Sequence, residues 1–162
     1  IFAALGGMFS ERSGVINIAL EGLMLAGAFT AAVVTYEMGT PFLGFFCGML
    51  AGAFLAFIYA VAVIEFEADQ VVAGFGINIL MLGLPALLSS AIYDSAGSTE
   101  QIARENQLPQ FFDINVASVL AFLLVPLCWY VLYKTPFGLR LRSVGENPAV
   151  ARAARVGVNR LR

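Results

Sequence analysis

Histidine is absent from the 162 residues, and only 12% of them are charged. Without histidine the chain lacks the commonest zinc ligand and the side chain that titrates near neutrality, so ordinary zinc sites and His-based acid–base chemistry are excluded. Cysteine is scarce: Cys47 and Cys128 are the two present, and both lie inside apolar runs. There they read as small buried apolar residues, and no disulfide framework or redox compartment follows from them. No Gly-x-x-x-x-Gly-Lys-Ser/Thr loop occurs, and no Ser/His/Asp or Cys/His set is available, so the chain reads as neither an NTPase nor a hydrolase. The net charge of −2 is too small to suggest a nucleic-acid partner. Residues 1–9 lack a charged leading region and a cleavage site, so no signal peptide is read there.

Apolar side chains are abundant. They make up 60% of the sequence, and the mean hydropathy is +0.85, whereas a soluble domain carries about 25% charged residues. Spanning a bilayer takes roughly 20 apolar residues in a helix. Four segments qualify: 15–36, 41–64, 71–93 and 115–133. The expected fold class is therefore all-α, a polytopic transmembrane helix bundle forming one region over 1–162. The chain opens at Ile1 inside an apolar stretch and stops at Arg162 in a basic one, which reads as a piece of a longer protein. Tyr36, Tyr93, Trp129, Tyr130 and Tyr133 lie at or near segment ends, as interfacial belts require.

Charge orients the segments. Residues 134–162 carry seven bases, from Lys134 to Arg162, against the single acid Glu146, which marks them as cytoplasmic by the positive-inside rule. The acidic loop 94–114 then lies outside. By alternation, residues 65–70 and 10–14 are cytoplasmic and residues 37–40 are outside.

Within the second segment Gly44, Gly48, Gly52, Ala56 and Ala60 fall four apart, on one helix face. Small residues at that spacing predict a close seam with another helix. Among ionisable residues only Glu21 lies well inside a segment, and Asn17 precedes it by four. Asn78 stands seven residues in from Val71, so Glu21 and Asn78 are both expected roughly 10 Å from the cytoplasmic ends of their helices. Two readings of this polar set stand: a collar lining a translocation path, or hydrogen-bonding glue between helices. In the cytoplasmic segment, Asn147 is a good N-cap, Pro148 suits the first helical position and Gly157 is a plausible stop. They predict a short helix over about 148–156. Such a helix is marginal alone and needs a surface to pack against, either a partner protein or the membrane.

Three stretches then carry a resemblance. Residues 9–29 (FSERSGVINIALEGLMLAGAF), 68–74 (ADQVVAG) followed by 77–79 (INI), and 135–148 (TPFGLRLRSVGENP) with Ala153 and Ala154 resemble, in order and spacing, the permease subunits of bacterial ABC importers for nucleosides and simple sugars. That group is broadly related to the ribose and branched-chain amino acid permeases. The resemblance covers essentially the whole chain, at about half of a permease's length. It implies a multi-pass protein of the bacterial inner membrane that binds no cofactor itself, ATP being hydrolysed by a separate ABC ATPase subunit. The implied partners are that ATPase, a second permease subunit (identical or different), an extracytoplasmic solute-binding protein and the lipid bilayer. The helix opened by Gly145, Glu146, Asn147 and Pro148, with Ala149, Arg152 and Ala153, would be the element that docks on the ATPase. Asn17, Glu21 and Asn78 are the path candidates, and Gly44, Gly48 and Gly52 the packing candidates. The competing class is an ion-coupled secondary transporter with Glu21 as its proton or sodium site.

Overall fold

The computed structural model describes residues 1–93, 110–111 and 114–161. The acidic loop 94–114 falls largely outside the described residues, as does Arg162. The fold is all-α: α1 (Phe2–Arg12), α2 (Leu20–Met38), α3 (Pro41–Ala60), α4 (Gln70–Tyr93), α5 (Val116–Lys134), α6 (Pro136–Glu146), α7 (Pro148–Ala153) and α8 (Val158–Leu161). One two-residue antiparallel hairpin, β1 (Gln110–Phe111) with β2 (Ile114–Asn115), precedes α5. Among the described residues, three helices are long and apolar enough to cross a membrane: Pro41–Glu65, Gln70–Tyr93 and Val116–Lys134. The chain divides into two compact units, one of Ile18–Pro109 and one of Ile1–Asn17 with Gln110–Arg162.

The first unit holds α2, α3 and α4. Gly39 takes the left-handed conformation, φ 65°, and its N–H bonds Thr35 O, which ends α2. Pro41 at the first position then starts α3 two residues later. The resulting hairpin is closed by small residues from both helices. A Cβ on Gly44 would strike the Thr35 hydroxyl and lie 2.6 Å from Ala31 O; one on Gly48 would lie 2.6 Å from Gly27 O. Gly52 is looser, 3.7 Å from Leu23 O. Leu23, Gly27, Ala31 and Thr35 thus form the four-spaced row of α2 that answers the glycine row of α3.

Segment 41–64 ends in a single turn of wider helix, Val61–Glu65, after which the chain turns back through Glu67 at φ 52°. Asp69 opens α4: its Oδ1 accepts from the N–H groups of Val71 and Val72 at 2.9 and 3.0 Å. The Tyr59 hydroxyl donates to Gln70 O, tying the end of α3 to the start of α4.

The first predicted segment, 15–36, begins as a helix only at Leu20. Gly14 at φ 86° breaks the chain, and Val15, Ile16, Asn17 and Ile18 are all weaker helix formers than the run that follows. The Ser13 and Ser10 hydroxyls also bond local carbonyls, Ser10 O and Val15 O, each at 2.7 Å, holding a non-helical turn.

The second unit holds α1, the hairpin and α5–α8. Thr135 makes the corner between α5 and α6: its hydroxyl donates back to Val131 O and accepts from Gly138 N–H. Gly138 is required there, because a Cβ would strike the carbonyls of Val131 and Leu132. Beyond the corner Val144, Ala151 and Val158 form a small core, with Val156 and Leu161 packed on it. Asn147 caps α7 as expected, accepting from Ala149 N–H and Val150 N–H at 3.1 and 3.2 Å. The helix stops at Ala153, short of the predicted 156. Arg155, not Gly157, takes the left-handed position, φ 59°. The N–H groups of Arg155 and Val156 then bond Arg152 O and Ala151 O. This closing motif puts Val156 onto the core, and that burial offsets a left-handed arginine, which costs about 1–2 kcal/mol.

Candidate functional site

Glu21 is the second residue of α2 and is exposed, at the end of a helix rather than well inside one. A carboxylate in the first turn faces the positive end of the helix dipole, which accounts for its place. Asn17 lies in the preceding turn and is half-buried, so the expected four-residue helical relation to Glu21 does not exist.

Asn78 reaches across from α4. Its Oδ1 accepts from Gly22 N–H at 2.8 Å, and its Nδ2 donates to Ile18 O at 3.0 Å. Ala19, at the cap position of α2, has no polar side chain to offer. Asn78 therefore supplies the missing cap from a different helix, satisfying one of the orphan N–H groups that every helix start exposes. Gly74, one turn earlier on α4, makes this approach possible, since a Cβ there would lie 2.8 Å from Ile18 Cβ. Gly22 matches it, with Asn78 Oδ1 and Ile77 O both 3.0 Å from where its Cβ would stand. Asn78 is the ninth residue of α4, roughly 12 Å along the helix axis, so α2 starts at that depth beside α4. Gly22 and Gly74 lie within the motif stretches but carried no signal of their own, because close approach between helices is invisible in one sequence. Replacing Asn78 by alanine is expected to lower the stability of the full-length protein by about 1–3 kcal/mol, read by thermal unfolding, because Gly22 N–H is left unsatisfied. A change below about 0.5 kcal/mol would contradict the capping role.

The candidates among residues 145–153 divide in two. Glu146, Asn147, Ala149, Arg152 and Ala153 are exposed, and Pro148 is half-buried. With Val150, 63% exposed, they form an open face on α7. Gly145 belongs elsewhere: a Cβ on it would strike Arg12 O and lie 3.1 Å from Gly14 N. Its backbone rests on the turn that follows α1, and the residue is half-buried. The packing surface a short helix needs is supplied by the chain itself, through Ala151. At the same joint Arg12 Nη2 donates to the Tyr133 hydroxyl at 3.3 Å, and the Arg142 guanidinium lies 4.9 Å from the centre of the Tyr133 ring. The end of α1, the end of α5 and α6 thus meet at one level. Residues 10–14, expected on the same side as 134–162 by counting back from it, are in contact with that region. Among the described residues no group of three or more His, Cys, Asp or Glu is placed to hold a metal.

Comparison with protein families matches residues 1–162 to the family described as "Branched-chain amino acid transport system / permease component". The guanosine ABC transporter permease protein NupQ of Bacillus subtilis is 41% identical over 182 residues, covering 100% of the chain and 57% of that protein. The nucleoside ABC transporter permease protein NupC of Lactococcus lactis is 38% identical over 169 residues, covering 93% and 53%. A fructose import permease protein of Rhizobium meliloti is 26% identical over 156 residues, covering 90% and 42%. The chain spans about half the length of the curated relatives it matches. No solved structure matches. With three helices able to span a bilayer and permeases as its relatives, the chain is part of a multi-pass membrane protein.

Proposed function

Because the chain belongs to the branched-chain amino acid transport system / permease component family, we propose that it is the membrane-embedded part of an ATP-driven importer in the bacterial inner membrane, carrying nucleosides or simple sugars inward. The observation that carries this reading is the joint at Asn147. There a capped helix exposes Ala149, Val150, Arg152 and Ala153, while Gly145, two residues before the cap, lies against the turn after α1. An ABC ATPase subunit pressing on the open face of α7 would move α6 and, through Gly145, the end of α1. In this reading α2–α5 are the four spans, residues 134–162 face the cytoplasm, and a solute-binding protein delivers cargo on the other side. The chain itself binds no cofactor; ATP is held by the separate subunit, and a second permease subunit completes the path.

The cargo class follows the relatives named for guanosine, nucleosides and fructose. Such neutral polar solutes need hydrogen-bonding groups on their path. The Asn78 amide is already committed to the start of α2, which favours a positioning role for it. Its contribution to transport would come through holding α2 in place. No observation favours the ion-coupled alternative, since the position of Glu21 is accounted for by the helix dipole.

Uptake tests the reading directly. Proteoliposomes holding the full-length permease, its ATPase and its binding protein should take up labelled nucleoside or hexose only when ATP is present. Uptake that survives without ATP and collapses with an uncoupler would replace this reading with the ion-coupled one.

A further inference from the structure

We propose that Arg12, Tyr133 and Arg142 form a headgroup site for an anionic phospholipid at the cytoplasmic boundary of the membrane. Two guanidinium groups converge on one phenol: Arg12 donates to the hydroxyl at 3.3 Å and Arg142 stacks on the ring at 4.9 Å. Like charges drawn to one side chain repel, although the exposure of Arg12 and Tyr133 lets solvent screen part of that repulsion. The negative face of the ring offsets part of it. A carboxylate partner would offset the rest, yet among the described residues neither arginine makes an ion pair, although Glu11 adjoins Arg12 and Glu146 stands one turn beyond Arg142. The helix dipole explains a base at the end of α1, and Arg142, inside α6, donates its Nε to Gly138 O at 3.4 Å. Neither contact explains why both guanidinium groups gather on Tyr133.

A phosphodiester supplies what is missing. Its two free oxygens match guanidinium donors, and its single charge lies between two positive ones. The position selects a lipid over a soluble anion. Tyr133 is in the last turn of a membrane-crossing helix, and Trp129, one turn earlier, is 53% exposed with Lys134 stacked 5.6 Å from its ring. Exposed aromatic rings with cations just beyond them mark the depth of lipid headgroups. Acyl chains would then lie along the exposed apolar face of α5. This site is independent of the transport reading and requires only that α5 lies in a membrane.

The test uses the full-length permease in detergent, titrated with phosphatidylglycerol or phosphatidylcholine and read by native mass spectrometry. Wild-type protein should retain phosphatidylglycerol preferentially, and the preference should fall as ionic strength rises. A surface arginine contributes roughly fivefold to anionic-lipid binding, so R12Q/R142Q should lose roughly thirtyfold. R12K/R142K should keep part of the preference, and Y133F, which keeps the ring but frees Arg12, should lie between. An unchanged preference in R12Q/R142Q overturns the site. So does a wild-type preference indifferent to salt, a measurement that needs no variant to fold. If R12Q/R142Q instead loses its ATPase subunit while keeping the lipid preference, the cluster is a protein contact and the proposal falls.

Discussion

Gly145→Val in the full-length permease should uncouple transport from ATP hydrolysis: uptake falls at least roughly tenfold while the ATPase subunit still turns over. The added side chain has no free direction, since its first carbon would already strike Arg12 O and crowd Gly14 N. Those are backbone atoms of a turn fixed by its own hydrogen bonds from Ser10 and Ser13, so they yield less readily than a flexible side chain would. Overpacking of this kind costs about 1–3 kcal/mol, and each 1.4 kcal/mol is tenfold in an equilibrium. The contact between α6 and the turn after α1 would part, and the push received by α7 would go no further. ATP hydrolysis and nucleoside uptake, measured together in proteoliposomes, check this. Val150→Glu is the control. It alters the open face of α7, so it should weaken binding of the ATPase subunit without lowering thermal stability. Tight coupling in Gly145→Val would remove the joint from the transport mechanism.

Gly44→Leu is expected to have the largest effect on folding, a loss of about 3 kcal/mol or more. Between membrane helices no water is released on packing, so association depends on close contact. Thr35 and Ala31 leave no room for a Cβ at 44, and the α2–α3 seam must open along its length. Gly48→Leu should cost nearly as much, because Gly27 O and Ala31 Cβ occupy its space. Gly52→Ala should change stability by less than about 0.5 kcal/mol, since its Cβ meets Leu23 O at ordinary contact distance. Thermal unfolding of the purified variants gives this order directly. Equal losses at all three positions would mean that the small residues act through helix propensity, not through the seam.

The position of Glu21 illustrates how a sound local inference changes in three dimensions. Hydropathy places a span from 15 to 36 and so puts Glu21 inside it. The helix starts at Leu20, which puts Glu21 in its first turn. Gly22, next to it, is bonded to the ninth residue of α4, so α2 starts beside the interior of α4 and not beside its end. Asn78 changes in the same way. Its type and spacing mark it as a polar group in an apolar helix, but nothing local reveals that it caps another helix.

What the sequence by itself determined are the features whose causes lie within a few residues. Three of the four apolar runs form helices long and apolar enough to cross a membrane. Thr135 and Asn147 cap α6 and α7, and Gly39 with Pro41 turns α2 into α3, because a side chain or a φ angle acts on backbone three or four positions away. The small-residue row of α3 announced a seam, though not its partner. Tertiary structure decided the pairings across long separations: Gly22 with Asn78, 56 residues apart, and Arg12 with Tyr133, 121 apart. It also set Gly145 against the turn after α1, and gave the end of α7 to Arg155 in place of Gly157. In each case two surfaces compete for one residue. Which surface wins depends on burial that forms only when distant segments meet, as when Val156 reaches the core of Val144, Ala151 and Val158.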